Sequence, residues 1–187
     1  EPPSSSPPVP SGLPQSAPPS ALGHVHGLVL AAGASSRMGL PKSLLTIDGE
    51  PLVCCHVQSL LAFGADVRVV LGGHADVVRN AIHQRWPPDQ PDCRVECRMN
   101  DRWDRSHMAD SVVVGMRGWP DSDLALVQPV DTPPTPVSVL HQLLQAGAPA
   151  VPSHDGRTGH PLLADVGSLR RACLAGSLRS LTPAPVA

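Results

Sequence analysis

Apolar residues along this chain fall into short, nearly continuous runs: "VHGLVL", "DVRVVLGG", "CRVECRM" and "DLALVQPV". Runs of about four to eight such residues, closed by glycine, proline or polar clusters, fit strands buried on both faces. Between them lie longer stretches with helical spacing. These are "PLVCCHVQSLLAFG", which ends on a glycine stop, "HADVVRNAIHQRW", "MADSVVVGMRG" and "VSVLHQLLQAG". "APAVP" predicts a fifth short strand, "SHDGRTGHPLLAD" a loop with a short segment, and "VGSLRRACLAG" a last helix. Alternating strands and helices imply parallel strands joined by right-handed crossovers. The expected fold is therefore α/β, a mostly parallel open sheet with helices on both faces, whose ligands lie beyond the carboxyl ends of the strands.

The pattern begins only near residue 25. Residues 1–20, "EPPSSSPPVPSGLPQSAPPS", have too little apolar surface to offset the entropy of ordering, so 1–22 reads as a flexible Pro/Ser-rich tail and 23–187 as one domain. A chain of 187 residues suits one filled core rather than two. With 14 basic and 16 acidic residues, a formal charge of -2 and no basic stripe, no nucleic-acid partner is expected. One Phe, three Trp and no Tyr leave little for base-stacking platforms. Five cysteines, an odd number without paired close spacings, make neither a disulfide framework nor a zinc site; Cys93 and Cys97 fall within one predicted strand and read as packing residues. No apolar stretch is long enough for a membrane span and no leader pattern precedes the domain, so a cytoplasmic location is expected.

Candidate chemistry concentrates at residues 29–45, "VLAAGASSRMGLPKSLL", directly after the first strand. Ala31, Ala32, Gly33 and Ala34 are too small to screen their backbone amides, so successive N–H groups can form a concave anion nest. Ser35 and Ser36 add hydroxyl donors, and Arg37 and Lys42 add charge-assisted contacts, a set suited to a triphosphate. The spacing matches neither the GxxxxGK[ST] phosphate loop nor the dinucleotide GxGxxG. Asp131, in "LALVQPVDTPP", sits just past a strand. A carboxylate there can hold Mg2+ against phosphates, although a lone Asp at a strand end also serves as a turn former or helix cap.

"LAAGASSRMGLPK" resembles the LAAGxSxRMGxxK signature of nucleotidyltransferases of the MobA and MocA kind. The resemblance implies a Rossmann-like three-layer nucleotidyltransferase domain, Mg2+ as cofactor, and transfer of a nucleoside monophosphate from an NTP to a phosphorylated small molecule with release of pyrophosphate. By it, Leu30, Ala31, Ala32 and Gly33 line base and phosphates, Arg37 and Lys42 hold the triphosphate, and Asp131, in "DTP", is the metal ligand. "LAAG" is closer to the molybdenum cofactor cytidylyltransferases than to the guanylyltransferases, which favours CTP and a molybdopterin-type acceptor. The same resemblance assigns Asn100, in "MNDRW", to the base or sugar of the nucleotide. It assigns Gly159, His160 and Pro161 to the acceptor, with Gly73 and His74 at its border. His160 also reads as a structural histidine, and Gly73–His74 as a strand stop and helix cap. A molybdoenzyme partner or a homodimer is compatible with this family.

Two departures stand out. "DRSHMADS" carries His107 where the family commonly has glycine, and "LAGSLRSL" has Ser177 after Gly176 where the family often has Gly-Asp. The leading reading is a molybdopterin-type transferase; a sugar-phosphate or other metabolite transferase is an alternative because the first loop and Asp131 serve that chemistry equally well, and the missing Gly-Asp leaves open a nucleotide-binding regulatory or chaperone-like protein without turnover.

Overall fold

The computed structural model describes residues 24–33 and 41–186. Its strands and helices follow in the order β1 (Val25–Ala31), β2 (Thr46–Ile47), β3 (Glu50–Pro51), α1 (Leu52–Phe63), β4 (Asp66–Leu71), α2 (Ala75–Arg85), β5 (Val95–Met99), α3 (Met108–Gly115), β6 (Leu124–Pro129), α4 (Val137–Ala146), β7 (Ala150–His154), β8 (Arg157–Thr158), β9 (Leu162–Asp165), α5 (Val166–Leu174) and β10 (Ala184–Val186). The predicted tail, residues 1–22, lies outside the described residues, as do Ser35, Ser36 and Arg37.

The main sheet runs β10-β7-β9-β6-β1-β4-β5, with β8 paired to β7. β1 is central and parallel to both β4 and β6, and β4 is parallel to β5. β9 is antiparallel to both β6 and β7. Covered on both faces, β1, β4 and β6 are buried almost throughout, and successive side chains alternate between the two helix layers. On β1, Val29 and Ala31 face the α1, α2 and α4 layer with Val53, Val57, Ile82 and Leu140. Leu28 and Leu30 face the α3 and α5 layer with Val112, Met116 and Leu169. The expected three-layer α/β fold is thus present.

Local chemistry sets the element ends. Gly64 closes α1 in the left-handed region at φ +106°, and its N–H caps the helix. The Asp165 carboxylate accepts from the Ser168 N–H at 2.7 Å and opens α5.

Three expectations need correction. "HPLLAD", read as part of a loop and short segment, contains the antiparallel strand β9. Residues 46–51 form a small β2–β3 hairpin through Asp48 and Gly49, both at positive φ, which the sequence reading missed. Cys93 lies before β5, so only Cys97 belongs to that strand.

At the amino ends of the strands, the His26 ring stacks on Trp119 at 4.2 Å and its Nε2–H donates to Asp123 at 2.9 Å. The Arg68 guanidinium lies 4.6 Å from the centre of the same Trp119 ring. Among the described residues no helix is long and apolar enough to cross a membrane.

Candidate nucleotide site

The strand order reverses at β1: the chain goes on to β4 on one side and reaches β6 on the other. Neighbouring loops therefore part at the carboxyl ends of β1 and β6 and leave a crevice between them. The Val130 N–H donates to the Leu30 carbonyl at 3.1 Å, extending the β1–β6 pairing one residue past β6. That register sets Asp131 beside the small-residue turn of β1.

A cleft of about 280 Å³ opens there. Leu30, Ala31, Ala32 and Gly33 form one wall, and Pro129, Val130 and Asp131 form another. Lys42 and Ser43 enter from the short 3-10 turn Lys42–Leu44. The loop after β5 and the start of α3 contribute Trp103, Ser106, His107, Met108 and Ser111. Lys42 Nζ stands 4.0 Å from Asp131 Oδ2, with the two side chains 46% and 55% exposed. A pair this open adds little stability. Its consequence is electrostatic: a cation and a carboxylate face the same solvent-filled cleft, one suited to a phosphate oxygen and the other to a metal bound to that phosphate.

The Asp131 turn is stapled from within. Gln128 is 2% exposed, and its Nε2 donates to Thr132 Oγ1 at 2.6 Å while its Oε1 accepts from Thr135 Oγ1 at 2.8 Å. Thr132 Oγ1 in turn donates to the Pro129 carbonyl at 2.8 Å. The sequence reading did not single out Gln128, Thr132 or Thr135. The available signal was a glutamine inside an otherwise apolar buried strand, since a buried amide needs partners on both of its ends.

The other predicted residues divide. Asn100 is buried behind the cleft rather than lining it: its Nδ2 donates to Ser106 Oγ at 2.9 Å and Ser111 Oγ at 3.0 Å, and its Oδ1 accepts from the Arg102 N–H at 3.1 Å. In this structure its amide holds two cleft-lining serines in place. Gly73 is buried, and His74 precedes α2 at φ +66°, bordering a separate depression with Asp76, Arg79 and Met99. Gly72, one residue earlier, lies directly behind the cleft against Ala32 and Trp103. The Gly159 N–H donates to the Pro152 carbonyl at 2.9 Å, and the His160 carbonyl accepts from Thr135 Oγ1 at 3.5 Å, which ties this segment to the Asp131 turn. Pro161, buried, follows a cis peptide bond. Desolvation holds the His160 imidazole below its ordinary 6.5, while the Asp131 carboxylate pulls the other way.

No group of three or more His, Cys, Asp or Glu that would hold a metal occurs among the described residues. The donor set, a single half-exposed carboxylate, fits a divalent cation that arrives on substrate phosphates and keeps its remaining waters. Mg2+ is commonly bound in this way.

Fold and cleft together define an α/β domain with a candidate ligand cleft at the topological switch point. The chain belongs to the MobA-like NTP transferase domain family, which matches residues 27–183. It is 32% identical over 134 residues to the 2-C-methyl-D-erythritol 4-phosphate cytidylyltransferase of Nocardia farcinica, covering 69% of this chain. The match spans 55% of that relative's length. Among solved structures, a nucleotidyl transferase from Methanothermobacter thermautotroptrophicus superposes with a TM-score of 0.66 at 25% identity, over 81% of this chain and 76% of that one. Molybdopterin-guanine dinucleotide biosynthesis protein A from Archaeoglobus fulgidus superposes with a TM-score of 0.56 at 19% identity, over 86% and 82%, a likeness of fold alone.

Proposed function

We propose that the protein is a divalent-metal-dependent nucleotidyltransferase that moves a nucleoside monophosphate, CMP in our reading, from an NTP to a phosphorylated small molecule. The observation carrying this reading is Lys42 and Asp131 facing each other, 4.0 Å apart, across a cleft walled by Ala31, Ala32 and Gly33. An acceptor phosphate oxygen attacks the α-phosphorus, a new P–O bond forms, the bond to the bridging α–β oxygen breaks, and pyrophosphate leaves with that electron pair. Such a step needs charge neutralisation and alignment more than covalent help from the protein. The backbone around Ala31–Gly33 receives the phosphates, Lys42 offsets charge on them, and Asp131 supplies the carboxylate for Mg2+. When bound, the metal adds Lewis-acid stabilisation of the phosphoryl oxygens.

Two acceptor classes compete. The "LAAG" form of the first loop favours a molybdopterin-type phosphate, whereas the Nocardia relative, by its name, acts on a polyol phosphate. Both take the same donor chemistry, and CTP serves both.

The test is pyrophosphate release with CTP, GTP, ATP and UTP, each with Mg2+ and either molybdopterin or 2-C-methyl-D-erythritol 4-phosphate, beside the Asp131→Ala protein. One nucleotide and one acceptor are expected to work, with turnover reduced about 100-fold or more by Asp131→Ala. Nucleotide binding without release in any combination, and without a Mg2+ dependence sensitive to Asp131→Ala, would sink the transferase reading and favour a binder.

A further inference from the structure

The Asn100 amide, 3% exposed and just past β5, is oriented by its surroundings. Its Oδ1 accepts from the Arg102 N–H, a group that can only donate, so the amide nitrogen must face Ser106 and Ser111. Both Nδ2 protons are then used, one on each serine Oγ, at 2.9 and 3.0 Å. An amide nitrogen accepts nothing, so neither serine can return its own proton to Asn100. Among the described residues neither hydroxyl donates to another acceptor. Both serines line the cleft and Ser111 is only 6% exposed, so the side open to their O–H groups is the cleft itself. An enclosed hydroxyl with an unspent donor is costly until something accepts from it.

These donors enter from the opposite side to Asp131. Ser106 and α3 follow β5 and Asp131 follows β6, and the sheet order β6-β1-β4-β5 separates the delivering strands by roughly 14 Å. Lys42 and Asp131 suit phosphates and metal. Two hydroxyl donors beside the apolar Trp103 and Met108 suit the edge of a planar heterocycle.

We propose that Asn100 is a positioning residue that does not touch the nucleotide: its amide turns the Ser106 and Ser111 hydroxyls into the cleft, where they donate to acceptor atoms on the edge of the base. Cytosine carries two such atoms side by side, the O2 carbonyl oxygen and the unprotonated N3. The inference rests on the reading of the cleft as a nucleotide site, and it reassigns Asn100, which the family resemblance placed on the base or sugar itself.

The experiment turns on Asn100→Asp. This variant keeps the side chain's size and its bond from the Arg102 N–H but replaces the donor with an acceptor, so the serine protons turn inward to the carboxylate. Wild type, Asn100→Asp, Ser106→Ala/Ser111→Ala, the combined triple variant and Asp131→Ala are titrated calorimetrically with CTP, GTP, ATP, UTP and inorganic tripolyphosphate. Each titration is run with and without Mg2+, and each protein is melted. Asn100→Asp and the double serine variant should each weaken CTP about tenfold, with unequal losses among the four nucleotides and little change for tripolyphosphate, which has no base. In the triple variant Asn100→Asp should add little to the loss already caused by the serines. A purely structural role, or the added charge, would weaken tripolyphosphate as much as CTP. Direct contact from Asn100 would make its loss add in full to that of the serines. Either result overturns the proposal, as do equal losses across the four nucleotides, which would place the serines on the ribose. Asn100→Ala carries the same comparison if Asn100→Asp does not fold, and wild-type CTP affinity in the double serine variant also overturns the proposal. Nucleotide binding that loses its Mg2+ dependence in Asp131→Ala but is untouched by the Asn100 and serine variants refutes only the role of Asn100. A wild-type protein that binds no nucleotide refutes the reading of the cleft and this inference with it.

Discussion

Gly72→Ala isolates the contact that holds the cleft's rear wall. Gly72 follows β4 and is buried, and a methyl group on it would lie 2.2 Å from the Ala32 carbonyl oxygen, 2.8 Å from Ala32 Cα and 2.7 Å from Trp103 Cβ. Carbon contacts are comfortable near ~3.5 Å, so about 1 Å of space must be made. Two of the three obstacles are backbone, and no side-chain rotation relieves them. Overpacking costs about 1–3 kcal/mol, and rigid obstacles place this case near ~3 kcal/mol. For a domain of this size that corresponds to a fall of about 6–12 °C in Tm. Because Ala32 lines the cleft, the same displacement should weaken nucleotide binding. Gly33→Ala is the control: among the described residues a methyl group there meets nothing within 4 Å, so its stability should stay within about 0.5 kcal/mol of wild type. Thermal melts by circular dichroism and a urea titration measure both variants. A Gly72→Ala protein melting within about 2 °C of wild type would refute the close approach of β4 to the first loop.

Further predictions concern titration. Burial holds the His26 imidazole below its ordinary 6.5, with His24 and Arg68 acting in the same direction and Asp123 opposing them. Above 6.5 folded and unfolded chains are both neutral at this residue; as pH falls below it, the unfolded chain takes a proton that the folded one resists, so stability declines until the folded ring titrates. Asp66 and Glu96 are both opposed by burial; Arg94 and His24 hold Asp66 low, and Arg98 and Arg68 hold Glu96 low. Their contributions are lost only as pH falls below 3.8 and 4.5. The urea midpoint should therefore drop between about pH 7 and pH 5, less steeply in His26→Phe, and equal slopes would refute the assignment. Burial also pushes the Cys54, Cys97 and Cys173 thiols up to about 11. At about pH 8 iodoacetamide should leave these three largely unmodified in the native protein and label them after denaturation; rapid native labelling at any of them would contradict this.

The first loop shows how far sequence reaches. Leu30 to Gly33, Lys42 and Asp131 were readable because a small-residue turn after an apolar strand and a carboxylate after another have local reasons to exist, and the structure brings them into one cleft. Arg37, Ser35 and Ser36 lie outside the described residues. Asn100 was singled out by the family resemblance alone, and its burial against Ser106 and Ser111 was not legible. Gly73 is buried and His74 borders a depression apart from the cleft, while the strand residue packed against the cleft's Ala32 is Gly72, identified by what lies against it.

The apolar runs determined by themselves that β1, β4 and β6 are buried on both faces and joined through helices, because continuous apolar strands and crossovers of that length admit few other arrangements, whereas β5, read the same way, is an edge strand with no fully buried residue. β9 escaped because four residues of "LLAD" carry too little periodicity, and its antiparallel place depends on the exposed pairing edges of β6 and β7. Only the tertiary structure decided that Gln128 would staple Thr132 and Thr135, and that Ser59, 76 residues from Thr135 in sequence, would donate to its carbonyl. Pairings of that separation are set by how helices seat on a sheet, a matter of shape and contact between elements that no local propensity encodes.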